Sequence, residues 1–339
     1  MDTQQPVRMA LVGAGIFTRD AHVPAIKALG DQIEVVAVYS RTQKSADAAA
    51  ALFEHDIEPY TDLGALLARD DVEAVDITLP IPLIPDAVRQ ALAADKHVVS
   101  EKPMAPSVAD GRALLGFYAD HRDKVWMVAE NWRYHDVTHK AAALIKEGRI
   151  GNPVMVTWHE AVAIGADNKY FNTAWRKTGD FQGGFILDGG VHRAAALRAL
   201  LGEVASVSGF SRQIRPELPP VDTLSAALRF ESGALGVYTI TYGGDAPWTP
   251  VLDIVGDRGA MRISRYETID LESEGQTEEI HPISGSDIQA ELAAFVHSVR
   301  TGEPHLNTPE EGLLDVALME AMLRAGESGE IVNPARLEE

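Results

Sequence analysis

Residues 8–15, Arg-Met-Ala-Leu-Val-Gly-Ala-Gly, form an apolar run that closes on two glycines. The run predicts a short buried strand, and the residues from about Thr18 to Leu29 predict an amphipathic helix. Between a strand and a helix, the first glycine of such a turn permits the bend, and the second lets the backbone approach a pyrophosphate. Thr18 occupies the position where the usual pattern has a third glycine. We therefore predict that Gly13, Gly15, Ile16 and Phe17 contact a dinucleotide.

Strand-like and helix-like stretches alternate from this point to about Val128, and this regular alternation ends after about Ala129. Alternation at this spacing predicts an α/β fold with a parallel, doubly wound sheet of the Rossmann type. Short apolar runs separated by turn residues dominate the second half and predict an α+β domain with a large, mostly antiparallel open sheet. We predict a dinucleotide-binding domain over residues 1–128 and a substrate-binding and oligomerisation domain over residues 129–339.

Composition narrows the classes of partner. The 339 residues carry 50 acidic and 30 basic side chains, a formal net charge of −20 that would repel a phosphate backbone. We expect no nucleic-acid partner. The chain has no cysteine, no recognisable signal peptide and no apolar run that could span a bilayer, so we expect a cytoplasmic protein without a membrane partner.

The end of the second predicted strand bears on the choice of cofactor. An acidic residue there would bind the ribose hydroxyls of NAD(H), whereas this chain has Ser40-Arg41, a hydroxyl and a guanidinium suited to a 2′-phosphate. We therefore predict NADP(H), with NAD(H) less favoured. The alternative is an ordinary surface arginine beside a turn.

Lys102 follows another short apolar run, Val98–Ser100, and stands between Glu101 and Pro103. A lysine at the carboxyl end of a parallel strand lies at the crevice where open α/β sheets bind ligands. A lysine or a histidine can exchange a proton with a substrate oxygen during hydride transfer. The alternative is an exposed lysine in a loop.

The second informative segment is Asp188-Gly189-Gly190-Val191-His192. A helix that starts near Gly189 would put Asp188 at its N-cap and His192 in its first turn, four residues apart on one face. The pair is then either part of an active site or a helix cap beside a structural histidine. His135 and His139 are also four apart, but without a third ligand they are more typical of a solvated helix face, so we predict no metal site.

Taken together, these motifs resemble the Gfo/Idh/MocA oxidoreductases, the family of glucose–fructose oxidoreductase and inositol dehydrogenase. The resemblance spans nearly the whole chain and rests on the glycine turn, Glu101-Lys102-Pro103, the run Asn131–Tyr134, Trp175-Arg176 and Asp188-x-Gly190-x-His192. It implies that Lys102 and His192 transfer protons, with Asp188 orienting the substrate or His192. It also implies that Arg133 and Trp175 line the substrate site.

The chain departs from the family pattern in two places. Ile81 and Ile84 replace polar residues after the third strand, so Leu79 and Pro80 are expected to contact the cofactor through backbone or apolar groups. Glu101 and Lys102, at the end of the next strand, are also predicted to contact the cofactor. Ala195 stands where an acidic or amide residue is common three positions after the histidine. These departures suggest a divergent, NADP-leaning branch.

The predicted function is NADP(H)-dependent transfer of a hydride to or from a hydroxyl or carbonyl carbon of a small sugar, polyol, cyclitol or related compound. Two alternatives stay open: a non-catalytic NAD(P)-sensing regulator, and an enzyme acting on an aromatic diol or a tetrapyrrole. The resemblance further implies a homodimer or homotetramer assembled through the C-terminal sheet.

Overall fold

A computed structural model describes residues 5–179, 181–282 and 285–337, and these divide into two compact units. The first unit comprises the described residues up to Asn131 together with Ser286–Leu313. The second comprises Trp132–Gly285 and the described residues from Leu314 onward. Within the described part of the chain, no helix combines the length and apolar character that crossing a membrane requires.

The first unit is built on a six-stranded parallel sheet, as predicted. Its strands are β1 (Val7–Val12), β2 (Ile33–Tyr39), β3 (Glu58–Tyr60), β4 (Ala74–Ile77), β5 (His97–Glu101) and β6 (Trp126–Ala129). Their spatial order is β3-β2-β1-β4-β5-β6, so the order reverses direction between β1 and β4. Ligands of open α/β sheets bind where the strand order reverses, at the carboxyl ends of the strands. The glycine turn follows β1 at this position.

Helices connect these strands, and capping side chains mark where three of the helices begin. They are α1 (Val23–Leu29), α2 (Gln43–Ala50), α3 (Leu63–Leu67), α4 (Ile84–Ala93) and α5 (Val108–Tyr118), with a helical turn at Thr18–His22 leading directly into α1. Thr42, Asp62 and Ser107 precede α2, α3 and α5, and each side chain accepts a hydrogen bond from a backbone N–H three residues later. Such N-caps satisfy amides that the helix itself leaves unpaired.

The chain returns to the first unit near its end. The segment Ser286–Leu313, which the sequence-based division assigns to the second domain, contains α9 (Asp287–Thr301). Leu292, Phe295, Val296 and Val299 of α9 are buried in the same apolar cluster as Val7 of β1 and side chains of α1. Burial of this apolar face against the sheet is what joins a distant part of the sequence to the first unit.

The second unit contains an eight-stranded sheet and the longest helices. The strands are β7 (Pro153–Ala161), β8 (Val204–Arg212), β9 (Thr223–Phe230), β10 (Leu235–Thr241), β11 (Trp248–Gly256), β12 (Gly259–Ser264), β13 (Thr268–Ser273) and β14 (Gln276–Ile280). The helices are α6 (Asp136–Lys146), α7 (Ala174–Lys177) and α8 (Gly184–Leu201), and α10 (Pro309–Ser328) begins in the first unit and ends in the second. The order β14-β13-β12-β11-β7-β10-β9-β8 contains one parallel pair, β7 with β10, and antiparallel pairs elsewhere.

One face of this sheet is covered within the unit and the other is open. Along β9 and β10, buried and exposed side chains alternate, as expected for a sheet packed on one side. Large apolar side chains stand on or beside the open face, among them Met155, Leu235 and Val237 with exposed fractions of 49%, 58% and 45%. The predicted homodimer or homotetramer through this sheet stays a prediction.

Helix α8 begins earlier than predicted. It starts at Gly184, and Gly183, with a φ of 73°, precedes it as the capping residue. A left-handed residue of this kind is accessible to glycine at no steric cost, so the chain can turn into the helix there. Asp188 therefore lies in the second turn, and the prediction that it caps the helix is wrong. The sequence did not indicate β3 and β14, which lie at the edges of their sheets.

Candidate active site

The glycine turn of the first unit is shaped for close backbone contact. Gly13 has a φ of +125°, and a Cβ placed on it would lie 2.6 Å from Oγ1 of Thr78 and 2.7 Å from the Thr78 carbonyl oxygen. Only glycine fits between β1 and the end of β4 in this conformation. Gly15 is exposed, and a Cβ on it would meet only Oγ1 of Thr18, at 4.0 Å. The open space above Gly15 suits the approach of a pyrophosphate.

Thr18 explains the missing third glycine. Its buried Oγ1 accepts a hydrogen bond from the Gly15 N–H at 3.1 Å and lies 2.7 Å from Oγ1 of Thr78. The hydroxyl thus joins the turn after β1 to the end of β4. Ile16 and Phe17 are half-buried in the same turn, and Leu79 and Pro80 are half-buried just after Thr78. These predicted cofactor contacts therefore follow the carboxyl ends of the two strands, β1 and β4, that flank the reversal of strand order.

Ser40 and Arg41 follow β2 at the neighbouring position. The Ser40 N–H donates to the Tyr60 carbonyl at 3.0 Å, which fixes the backbone, and the Arg41 side chain is exposed. Among the described residues, none makes a hydrogen bond or ion pair with the Arg41 guanidinium. The side chain is therefore available to an anionic group.

Lys102 lies directly after β5 and is half-buried. Its backbone N–H donates to Oε2 of Glu101 at 3.2 Å. Glu101 is itself buried, and its other carboxylate oxygen, Oε1, lies 2.9 Å from Nε2 of His22. Nδ1 of His22 lies 2.7 Å from Oδ2 of Asp76 in β4. Sequence reasoning missed His22 and Asp76, although an aspartate inside the apolar strand Ala74–Ile77 signals a buried polar partner.

In the second unit, helix α8 presents Asp188 and His192 one turn apart. Oδ2 of Asp188 accepts a hydrogen bond from Nε of Arg176 at 2.8 Å, and the Arg176 guanidinium lies 4.0 Å from the centre of the Trp175 ring. The predicted substrate residue Trp175 therefore packs on the arginine that is paired with Asp188. Such a stacked arginine holds the carboxylate in one orientation.

His192 stacks on an aromatic platform that sequence reasoning did not assign. Its ring is 5.3 Å from that of Trp132 and nearly parallel to it, at 16°. Trp132 in turn stacks on the buried Trp158 at 6.1 Å, and Tyr266 packs against both rings. Stacking of this kind restricts the imidazole to one plane.

A buried ion pair supports that platform. Nε of Arg193 donates to Oε2 of Glu160 at 3.1 Å, and the hydroxyl of Tyr266 donates to the same oxygen at 2.6 Å. The Arg193 guanidinium lies 5.0 Å from the centre of the Trp132 ring. Arg193, the residue that follows His192, therefore packs on Trp132, the same ring on which His192 stacks.

The glycines of the Asp-Gly-Gly-x-His motif have a packing role. A Cβ on Gly189 would lie 2.3 Å from the Tyr242 hydroxyl, and one on Gly190 would lie 2.3 Å from the Met319 methyl. Burial raises the pKa of Tyr242 to about 12, although nearby Arg193 opposes the shift, so the hydroxyl stays neutral. The two glycines let these side chains approach α8 closely.

The predicted substrate residue Arg133 is buried. Its Nη2 donates to both carboxylate oxygens of Asp315, at 2.7 and 2.8 Å, and Asp315 also accepts from Arg198 at 2.6 Å. A substrate contact by Arg133 stays a prediction. Nε2 of His139 is hydrogen-bonded to the Arg133 carbonyl oxygen. Within the described ranges, no group of three or more histidine or acidic residues could hold a metal ion.

Comparison with known proteins shows the family to which the chain is related. Residues 7–129 match the family model described as oxidoreductase family, NAD-binding Rossmann fold, and residues 142–333 match its C-terminal alpha/beta domain. Dehydrogenase FPY6 of Fusarium mangiferae is 34% identical, with 94% of this chain and 95% of that protein covered. D-xylose 1-dehydrogenase [NADP(+)] of Haloarcula marismortui is 27% identical, with 96% and 92% covered. The crystal structure of an oxidoreductase from Thermotoga maritima superposes with a TM-score of 0.92 at 34% identity, covering 98% of this chain and 100% of that one.

The family match and the dehydrogenases and reductases among the relatives show a nicotinamide-dependent oxidoreductase that acts on CH–OH groups. The chain belongs to the Gfo/Idh/MocA oxidoreductase family. The predicted family, fold class and enzyme class are confirmed.

Proposed function

We propose that the protein oxidises a hydroxyl group of a small sugar or polyol to the carbonyl, or catalyses the reverse reduction, with NADP(H) preferred to NAD(H). The observation that carries the proposal is the position of Lys102, which follows β5 in the same sheet whose β1 ends in the glycine turn. Both lie at the carboxyl ends of parallel strands, where such sheets bind ligands. The relatives named as D-xylose 1-dehydrogenases support a sugar substrate.

In the oxidative direction the substrate loses a hydride from carbon and a proton from oxygen. A nicotinamide cofactor held at the glycine turn would supply the hydride acceptor. The protein's task is to orient the hydroxyl and to remove its proton, and Lys102 and His192 are the side chains we assign to that transfer. Asp188, held by Arg176, orients the substrate or the imidazole. In the reductive direction the same groups return the proton.

The NADP(H) preference rests on Ser40-Arg41. An exposed guanidinium after β2, beside a serine hydroxyl, is suited to bind a 2′-phosphate by charge-assisted hydrogen bonds. The names of two relatives specify NADP(+), and solved structures of two others contain NADH. Cofactor choice therefore differs among proteins of this fold and has to be measured for this one.

The experiment titrates NADPH and NADH by fluorescence and screens D-xylose, D-apiose, levoglucosan, D-glucose and myo-inositol for turnover. We expect Lys102→Met to lower kcat/KM by about 10²- to 10⁴-fold, since general acid–base catalysis contributes that much. NADPH affinity should stay within about threefold because the variant keeps the glycine turn. The exposed lysine of α6, in Lys140→Met, is the matched control and should behave as wild type.

Arg41→Ala should weaken NADPH binding by about tenfold or more and leave NADH binding unchanged, because only NADPH carries the 2′-phosphate. Arg89→Ala, which removes a helix arginine paired with Asp86, is the control. Near-normal turnover in Lys102→Met would refute its assignment. Tight NADPH binding with no turnover of any sugar, small aldehyde or aromatic diol would favour a cofactor-sensing regulator instead.

A further inference from the structure

His22 is a fully buried histidine held between two carboxylates of different strands. Its exposed fraction is 0%, and its ring nitrogens lie 2.7 Å from Oδ2 of Asp76 and 2.9 Å from Oε1 of Glu101. Asp76 belongs to β4 and Glu101 ends β5. Because each ring nitrogen faces a carboxylate oxygen, the arrangement is satisfied when both nitrogens carry a proton.

The surroundings favour the imidazolium form. Burial alone lowers the pKa of His22, but the charges and hydrogen bonds of Asp76 and Glu101 outweigh it and raise the pKa well above its usual value. Glu291 of α9 also interacts electrostatically with His22, and its pKa is raised by its own burial and by the charge of Glu101. His22 and the carboxylates of Asp76 and Glu101 thus form a compact buried group, and Glu101 directly precedes Lys102.

The helical turn that carries His22 is fixed at both ends. Thr18, its first residue, binds the Gly15 N–H and the Thr78 hydroxyl at the glycine turn. His22, its last residue, binds Glu101, whose second carboxylate oxygen accepts the Lys102 backbone N–H. A single turn of chain therefore links the glycine turn to the turn that carries Lys102.

We propose that His22 is a positioning residue for Lys102, acting through Glu101 so that the lysine turn is held in fixed register with the glycine turn. The proposal deepens the function assigned above and rests on Lys102 as a proton-transfer group. His22 is fully buried, so we assign it a positioning role and no proton transfer of its own. Loss of its bond to Glu101 would free the carboxylate that holds the Lys102 backbone, and a misplacement of about 1 Å is enough to slow a reaction about a hundredfold.

The first measurement needs no substrate. Hydrogen exchange of the amides in residues 100–105, read by mass spectrometry, should be at least about tenfold faster in His22→Asn than in wild type, because the Lys102 amide loses its ordered acceptor. His97→Asn is the matched control. His97 begins the same strand and accepts the Val125 N–H through Nδ1 at 2.9 Å, at the end of β5 away from Lys102.

The second measurement separates positioning from simple loss of stability. With NADP⁺ and the sugar of the panel that gives the highest turnover, His22→Asn should lower kcat by about tenfold to a hundredfold and leave NADPH affinity within about threefold. In a Lys102→Met background the same change should lower the residual rate less than about twofold, since interacting residues give non-additive effects. If His22 had only a structural role, His22→Asn would lower the rate by the same factor in the wild-type and the Lys102→Met backgrounds.

The outcomes distinguish the two proposals. Full activity in Lys102→Met would refute the proposed role of Lys102, whatever His22→Asn does. A dead Lys102→Met together with unchanged exchange and unchanged kcat in His22→Asn would refute the positioning role alone. If no panel sugar is turned over, the exchange comparison with His97→Asn still decides whether His22 orders the turn. Should His22→Asn fail to fold, Asp76→Asn, which keeps the bond to Glu101, should show the same changes at smaller size.

Discussion

Glu160→Gln tests the buried ion pair that supports the His192 platform. Glu160 in β7 and Arg193 in α8 have side chains exposed by only 5% and 9%. The carboxylate accepts from Arg193 and from the Tyr266 hydroxyl, and Arg193 packs on Trp132. A neutral amide keeps the size of the side chain but leaves the guanidinium buried without its counter-ion.

Glu160→Gln replaces only a carboxylate oxygen by an amide nitrogen, yet we expect a large loss of folding stability. Removing one member of a buried pair costs about 3–5 kcal/mol, because the remaining charge stays desolvated. For a unit of this size about 1 kcal/mol corresponds to roughly 2–4 °C in Tm, so the transition of the second unit should fall by roughly 6–20 °C. The pair Arg262–Asp253, with side chains exposed by 57% and 28%, is the contrast, and Asp253→Asn should cost less than about 1 kcal/mol.

The assay is unfolding by heat and by urea, followed by circular dichroism and tryptophan fluorescence, for wild type, Glu160→Gln and Asp253→Asn. A third variant, Glu160→Met with Arg193→Met, removes both charges and should recover much of the lost stability. If Glu160→Gln and Asp253→Asn unfold within about 1 kcal/mol of each other, the reasoning from burial is wrong. If the double variant is less stable than Glu160→Gln, the guanidinium is stabilised by groups other than Glu160.

Two further predictions concern the first unit. The raised pKa of His22 means that the folded chain keeps a proton that the unfolded chain releases near pH 6.5, so stability should fall above that pH, by up to about 1.4 kcal/mol per pH unit. Burial lowers the pKa of His97 and of His305 to about 4, so stability should rise from pH 4 to 6.5. Urea unfolding across this range should show a maximum near pH 6.5, and a rise between pH 6.5 and 8 would contradict the His22 argument. Separately, Gly13→Ala places a Cβ 2.6 Å from Oγ1 of Thr78 at a φ of +125°, and should cost about 1–3 kcal/mol while weakening NADPH binding at least about tenfold. Unchanged values in the titration and in urea unfolding would show that the turn accommodates a side chain.

Much of the first unit was predictable because its signals are local. The apolar run before Gly13-Ala14-Gly15 and the alternation that follows predict the parallel sheet, and β2 ends at Tyr39, directly before Ser40-Arg41, as predicted. Lys102 was found because it follows an apolar run and precedes a proline. Hydrophobic periodicity and turn-forming residues are patterns within a few neighbouring residues, so they can be recognised in the sequence.

The residues that were missed are those whose partners are distant in sequence. His22 lies 54 residues from Asp76 and 79 from Glu101. Trp132 and Arg193 gain their roles from Glu160 of β7 and from Tyr266, which lies in the turn between β12 and β13. The helix start at Gly184 was missed because the sequence offers two glycine pairs, Gly183-Gly184 and Gly189-Gly190, and the left-handed angle of Gly183 cannot be read from the sequence.

For this protein, the sequence alone was enough to indicate the family and the two fold types and to propose the site residues, because motifs and periodicity are short-range properties of the chain. Folding was needed to reveal what holds those residues: the carboxylates around His22, the stack beneath His192, the arginine on Asp188, and the return of α9 to the first sheet. Each depends on which distant side chains share one buried space, where an unpaired charge or an empty volume would be costly. That sharing is a property of three-dimensional packing, and local sequence does not encode it.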